Sequence, residues 1–181
     1  NRFYDFIAKE KPDIVAMETK TPVVKEHWQI IDKIKENSPH VKAVLFGDHV
    51  TALPEESFQN SRVDYVLTGG DYDFLLLSLC NFIVNRNGGH FKSGPEELEP
   101  GIYYREGPQL KNTGSFRLDH VLDKLPFIDR DLTKWKLYAS ENGNYRKTPG
   151  TYMMSGRDCW WGKCTFCSWP TLYPIFRSRS A

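Results

Sequence analysis

The chain has 181 residues, 40% of them hydrophobic, which suits one packed domain or one domain with part of another. A net charge of +1 without a basic stripe argues against nucleic-acid binding, and no apolar run is long enough to span a membrane. Four cysteines without a signal-peptide pattern favour a cytoplasmic location. The first residues are typical of the end of a helix, and both chain ends suggest a fragment of a longer protein.

Strand and helix patterns alternate through the first hundred residues. Short apolar runs predict strands at residues 13–18, 41–47, 64–69 and 102–106, the last at the sheet edge. Helical patterns cover residues 23–39, a segment beginning at Pro54, and residues 71–86. This alternation predicts an α/β fold with a doubly wound, Rossmann-like parallel sheet that is buried on both faces.

Loops that follow parallel strands lie together at one edge of the sheet, where ligands bind in folds of this class. Here these loops are rich in Gly, Thr and Asp, residues that suit close approach to a ligand or hydrogen bonding to it. Ordinary turns with helix caps are the alternative. The candidate ligand-binding residues are Thr19, Thr21, Gly47, Asp48, His49, Thr51, Gly69, Gly70 and Asp71.

Periodicity fades after the last predicted strand. We expect an α/β domain over residues 1–110 and an interdomain connector with one short helix over residues 111–150. A second domain is predicted to begin within residues 151–181, where a short strand at residues 151–155 leads into a cysteine-rich loop.

That loop, CWWGKCTFC, places Cys159, Cys164 and Cys167 within nine residues. Three thiolates so close together suit a 4Fe–4S cluster that keeps one iron free of protein ligands. Structural zinc is the alternative, but it usually takes four ligands, and Cys80 lies in an apolar helical segment as a small hydrophobe would. Phe166 precedes the last cysteine, where an aromatic ring suits packing against an adenine.

The cysteine loop with the preceding TYMMS segment resembles the signature of the radical S-adenosylmethionine (radical SAM) superfamily, which follows the first strand of a (β/α) barrel. The chain before it resembles the cobalamin-binding domain that many of these enzymes carry, through PDIVAMET, VLFGDHVTALPEE, VDYVLTGGDYDF, IYYRE and LPFIDRDL. The spacing C-x4-C-x2-C is one residue longer than the common form. The motif D-x-H-x-x-G is absent, so His49 is not expected to ligate cobalt.

This resemblance implies a 4Fe–4S cluster on Cys159, Cys164 and Cys167 that cleaves S-adenosylmethionine to a 5′-deoxyadenosyl radical. It also implies cobalamin at the sheet edge and methyl transfer to an unactivated carbon of a small-molecule or peptide substrate. A flavodoxin- or ferredoxin-type protein is the expected electron donor. Two alternatives stay open: a sheet domain that no longer binds cobalamin and serves as a lid or partner-binding module, and a zinc-bearing structural module.

Overall fold

The computed structural model describes residues 2–88, 97–141 and 146–180, without the side chains of residues 85–88. A five-stranded sheet has the order β1-β2-β3-β4-β5. Its strands are β1 (Ile14–Glu18), β2 (Lys42–Phe46), β3 (Tyr65–Leu67), β4 (Ile102–Glu106) and β5 (Gln109–Asn112). The helices are α1 (Arg2–Glu10), α2 (Val24–Asn37), α3 (Asp48–Ala52), α4 (Pro54–Asn60), α5 (Tyr72–Gly88) and α6 (Trp169–Leu172). Short 3-10 turns cover Leu122–Lys124 and Trp135–Leu137, and a two-stranded ladder joins β6 (Gly156–Arg157) to β7 (Arg177–Ser178).

Helices cover both faces of the sheet, which confirms the predicted α/β layering. On one face α2, α3 and α4 bury Trp28, Ile31, Val50 and Phe58 against Leu45 and its neighbours. The helical spacing of Val24, Trp28 and Ile31 in α2 places these three side chains on the face toward the sheet. On the other face α5 packs Leu75 and Leu79 against the sheet. The middle of the sheet is therefore the core of the domain.

The sheet is mixed: the predicted parallel pairing is confirmed for β1, β2 and β3 and was wrong for β4. β1, β2 and β3 are parallel, whereas β4 runs antiparallel to β3 and β5 antiparallel to β4. A hairpin turn through Gly107, which has a φ of 58°, joins β4 to β5. β5 thus forms the edge that was predicted for β4, and it continues to Asn112, beyond the predicted domain limit at residue 110.

The strand predicted at residues 151–155 was also wrong. These residues form no strand, and Tyr152, Met153 and Met154 are exposed. The chain enters the β6–β7 ladder immediately afterwards. This short apolar segment pairs with no strand among the described residues, and the (β/α) barrel stays a prediction. No helix among the described residues is long and apolar enough to cross a membrane.

Leu45→Ala is expected to lower the free energy of unfolding by about 2–5 kcal/mol, because Leu45 is fully buried in β2, an interior strand of the sheet. Leu77→Ala is the matched control, since Leu77 on α5 is 62% exposed. Its cost is expected to stay within about 0.5 kcal/mol. Urea denaturation followed by tryptophan fluorescence measures both; equal costs would contradict the placement of Leu45 in the core.

Candidate functional site at the carboxyl edge of the sheet

The loops after β2 and β3 meet at the carboxyl edge of the parallel strands. Thr51 Oγ1 donates a hydrogen bond to the Gly47 carbonyl at 2.8 Å and accepts one from the Gly69 amide at 3.2 Å. The hydroxyl of Tyr72 lies 3.1 Å from the same Thr51 oxygen. Residues predicted to bind a ligand therefore hold one another in place across two loops.

Gly47 makes the closest backbone approach at this edge. Its φ is 120°, and a Cβ there would lie 2.3 Å from the carbonyl oxygen of Thr19. Thr19 follows β1 and is fully buried, and its Oγ1 has no hydrogen-bond partner among the described residues. Glycine at position 47 thus allows the loop after β2 to pack directly against the loop after β1.

His49 lies in α3 with its ring buried, and both ring nitrogens have protein partners. Nε2 lies 2.9 Å from a carboxylate oxygen of Glu56, and Nδ1 lies 3.1 Å from the hydroxyl of Thr21. The Trp28 ring packs edge-on at 6.3 Å between ring centres. These contacts fasten the start of α3 to the β1–α2 loop and to α4.

Tyr173, from the segment after the cysteine loop, inserts at this edge. It is 2% exposed, and its hydroxyl donates to Asp48 Oδ1 at 2.9 Å and lies 2.8 Å from the hydroxyl of Tyr72. Burial raises the pKa of Tyr173, and the hydrogen bond with Tyr72 raises it further. Its ring comes within 3.4 Å of where a Cβ of Gly70 would lie. Tyr173 is therefore a neutral phenol that occupies the space beside Gly70.

Asp71 is the most buried acid of the site, with a fully buried side chain. Arg177 forms a bidentate pair with it at 2.5 and 2.9 Å, Arg157 donates at 2.7 Å, and His120 Nδ1 lies at 2.7 Å. Burial alone would raise the pKa of Asp71, but hydrogen bonds from Arg177, Arg157 and His120 outweigh it and hold that pKa below its usual value. The carboxylate is thus fully engaged by the protein's own donors.

Two further acids extend this ion-pair network. Asp73 forms a bidentate pair with Arg157 at 2.9 and 2.7 Å. Asp158, directly before Cys159, lies 3.3 Å from Arg177. Burial raises the pKa of Asp158 despite its hydrogen bond with Arg177. The network therefore connects the loop after β3 to the residue that precedes the first loop cysteine.

The lowered pKa of Asp71 predicts loss of stability in acid. Because the folded-state pKa lies below the unfolded value, its contribution is complete above about pH 4 and disappears as the pH falls through the folded-state pKa. Asp158 acts in the opposite direction, since its folded-state pKa is raised. Asp71→Asn is therefore expected to flatten the fall in unfolding free energy below about pH 4, measured by urea denaturation at several pH values. An unchanged acid slope would contradict this assignment.

These contacts determine whether the sheet edge has room for a bound cobalamin. The glycines of the edge face protein atoms, because a Cβ at Gly69 would lie 2.5 Å from the Phe116 ring. Tyr173 covers Gly70 and Asp48, while Arg157 and Arg177 cover Asp71. Three buried polar atoms here have no hydrogen-bond partner among the described residues: Thr19 Oγ1, His120 Nε2 and Arg177 Nε. The residues at this edge do not fit a bound cobalamin in the described conformation, because the chain's own side chains fill it.

The cysteine loop lies at the protein surface and carries three free thiols. Cys159 and Cys164 are exposed and Cys167 is half-buried. The Gly162 amide donates to the Cys159 sulfur at 3.5 Å, and the Cys167 amide donates to the Cys164 carbonyl at 3.2 Å. Soft, unpaired thiols suit an iron–sulfur or zinc centre. Within the described part of the chain, however, no three His, Cys, Asp or Glu side chains are gathered as metal ligands.

The aromatic side chains of the loop are exposed. Phe166 is 90% exposed, and the adjacent Trp160 and Trp161 contact one another edge-on with 5.6 Å between ring centres. Cys80 lies on α5, where burial raises its thiol pKa. Cys80 is therefore separate from the other three cysteines in both sequence and chemical environment.

Comparison with known proteins gives one informative similarity. No family model matches the chain. A Pyrococcus horikoshii protein named as an uncharacterized methyltransferase is 24% identical over 164 residues, which cover 90% of this chain. The chain spans about a third of that relative, since the match covers 32% of its length. The similarity thus extends over most of this chain.

Several residues of the site were not predicted from the sequence: Tyr72, His120, Arg157, Asp158, Tyr173 and Arg177. A local signal existed for two of them, because Arg157 and Asp158 immediately precede Cys159. The other four act through partners distant in the sequence, which no local pattern indicates.

Proposed function

We propose that this chain carries the iron–sulfur loop and the α/β domain of a radical SAM methyltransferase. The observation that carries the proposal is the set of three free thiols on one short loop, with both ends of the loop fastened to the carboxyl edge of an α/β sheet. The name of the Pyrococcus horikoshii relative supports methyl transfer. S-adenosylmethionine is the corresponding proposed cosubstrate.

In this proposal Cys159, Cys164 and Cys167 hold the cluster, and exposure of the loop leaves room for it. A 4Fe–4S cluster held by these three thiolates would supply the electron for reductive cleavage of S-adenosylmethionine. Phe166, which is almost fully exposed, is available to pack against the adenine. Trp160 and Trp161 stand on the same loop and would shield the centre from water. Arg157 and Arg177 hold the base of the loop.

Because protein side chains fill the sheet edge, they favour a cobalamin-independent methyltransferase over a cobalamin-dependent one. A cobalamin at this edge requires Tyr173 and the arginine pair to leave it, and the described contacts oppose that movement. The form in which the α/β domain serves as a lid or partner-binding module requires no such change. We therefore favour the cobalamin-independent form, with a cobalamin-dependent methyltransferase as the second candidate because of the unpartnered Thr19 hydroxyl.

Electron paramagnetic resonance tests the iron–sulfur assignment. The full-length protein is reconstituted anaerobically with iron and sulfide, reduced, and measured with and without S-adenosylmethionine. A reduced-cluster signal that changes when S-adenosylmethionine is added is the expected result. A signal that does not respond would contradict the radical SAM assignment. Binding of zinc without iron would support the structural-module alternative instead.

Equilibrium dialysis with hydroxocobalamin separates the two forms of the proposal. The cobalamin-independent form predicts no stoichiometric binding by the full-length protein. Stoichiometric binding would establish the second candidate. Tyr173→Ala provides a further comparison, because removing the ring opens the space beside Gly70 and Asp48. Binding by this variant alone would show that Tyr173 closes the site.

A further inference from the structure

The cysteine loop is closed at its base by two arginines. Arg157 and Arg177 face each other as partners in the antiparallel ladder of β6 and β7. All three loop cysteines lie between them in the sequence. Both guanidinium groups extend to the same carboxylate, that of Asp71 at the start of α5. One buried acid on the sheet domain therefore holds both ends of the loop.

The charges around this contact are close to balanced. Asp71, Asp73 and Asp158 supply three carboxylates against the two guanidinium groups, and His120 donates to the Asp71 oxygen that also accepts from Arg177. Glu99 approaches the other His120 nitrogen at 3.6 Å. The arginine side chains are only 20% and 12% exposed. Removal of Asp71 would leave two poorly solvated cations without their shared partner, which strongly disfavours the docked arrangement.

Tyr173 provides a second anchor a few residues before Arg177. Its ring is buried beside Gly70, and its hydroxyl is hydrogen-bonded to Asp48. Trp169 on α6 packs edge-on against the Tyr173 ring at 4.8 Å between centres. Apolar contact at Tyr173 and ion pairing at Asp71 thus fasten the same segment to the ends of two neighbouring strands. A surface with both kinds of contact is specific in position as well as in charge.

We propose that the carboxyl edge of β2 and β3 is a socket for residues 156–178, and that Asp71 is the positioning residue that fixes the cysteine loop in it. Asp71, which the sequence predicted as a cofactor-binding residue, thus holds the cysteine loop through Arg157 and Arg177. Docking follows from the described contacts alone. Its consequence for metal loading rests on the proposed function.

Hydrogen–deuterium exchange of the full-length protein without metal tests the docking. Asp71→Asn keeps the shape of the side chain and removes its charge. We expect exchange in peptides from residues 156–178 to rise about tenfold or more, with little change in peptides from β1 and β2. Asp73→Asn is the matched control, because Asp73 is 43% exposed and, within the described part of the chain, its carboxylate pairs with Arg157 alone. Its effect is expected to stay below about threefold.

If Asp71→Asn fails to fold, Arg177→Gln makes the same test from the side of the loop. Equal exchange in wild type and in a folded Asp71→Asn or Arg177→Gln variant would overturn the socket.

Anaerobic reconstitution then tests the effect on metal binding. The folded Asp71→Asn or Arg177→Gln variant is expected to retain less iron than wild type and Asp73→Asn. Equal retention would overturn the positioning role. Wild-type protein that binds no iron would refute the proposed function, while the exchange result would still decide the docking.

Discussion

Alanine at Cys159, Cys164 or Cys167 is expected to reduce the iron bound after anaerobic reconstitution from about four atoms per chain to fewer than one. Each of these thiols is free, and the loop offers no fourth cysteine to replace a lost ligand. Two thiolates do not hold three irons of the cluster, so the loss is expected to be complete. Iron and sulfide analysis of the full-length protein, together with its visible absorption spectrum, measures this effect.

Cys80→Ala is the matched control, because Cys80 is also a free cysteine but lies on α5 away from the loop. Its raised thiol pKa keeps it protonated at neutral pH, which does not favour metal binding. Iron content is expected to equal that of wild type. Unchanged iron in a variant of Cys159, Cys164 or Cys167 would contradict the cluster assignment, whereas loss in Cys80→Ala would indicate a ligand outside the loop.

The strands and helices of the core were predictable because their sequence patterns match their burial. β2 is a near-continuous apolar run, and in the structure its three central residues are fully buried. The long apolar helix predicted at residues 71–86 corresponds to α5 at Tyr72–Gly88. In each case local propensity and tertiary packing favour the same structure.

Strand direction and pairing were less predictable. Nothing within IYYRE distinguishes a strand that runs parallel to β3 from one that runs antiparallel, because its direction depends on the path taken by the chain after α5. β5 has only four residues, most of them polar, and pairing with β4 determines its structure. The TYMMS segment was predicted as a strand from its apolar residues, but it pairs with no strand among the described residues and forms none.

The contacts that fasten the cysteine loop were outside the reach of local patterns. Asp71 was selected from the sequence as a residue beside a ligand, since acids and glycines follow β3. Its main partner, Arg177, lies 106 positions further along the chain. A carboxylate that can contact a ligand and one that neutralises two distant arginines have the same local sequence, and only the tertiary structure separates them.

Gly47→Ala is expected to lower the free energy of unfolding by about 3–5 kcal/mol, a large share of the total for a domain of this size. The φ of 120° is rarely adopted by alanine, and the added Cβ would meet the Thr19 carbonyl at 2.3 Å. That oxygen belongs to the backbone after β1, so a side-chain rotation cannot relieve the clash. Urea denaturation followed by the fluorescence of Trp28, which is buried in the same core, measures the loss.

Gly114→Ala separates the cost of a positive φ from the cost of the steric clash at Gly47. Gly114 also has a positive φ, 99°, but nothing lies within 4 Å of the position of its Cβ. This variant therefore carries backbone strain without the clash, and we expect a cost of about 1–2 kcal/mol. Equal losses in the two variants would show that conformation alone explains the requirement for glycine at position 47. A larger loss at Gly47 would indicate that close packing of the loops after β1 and β2 requires it, with no cofactor involved.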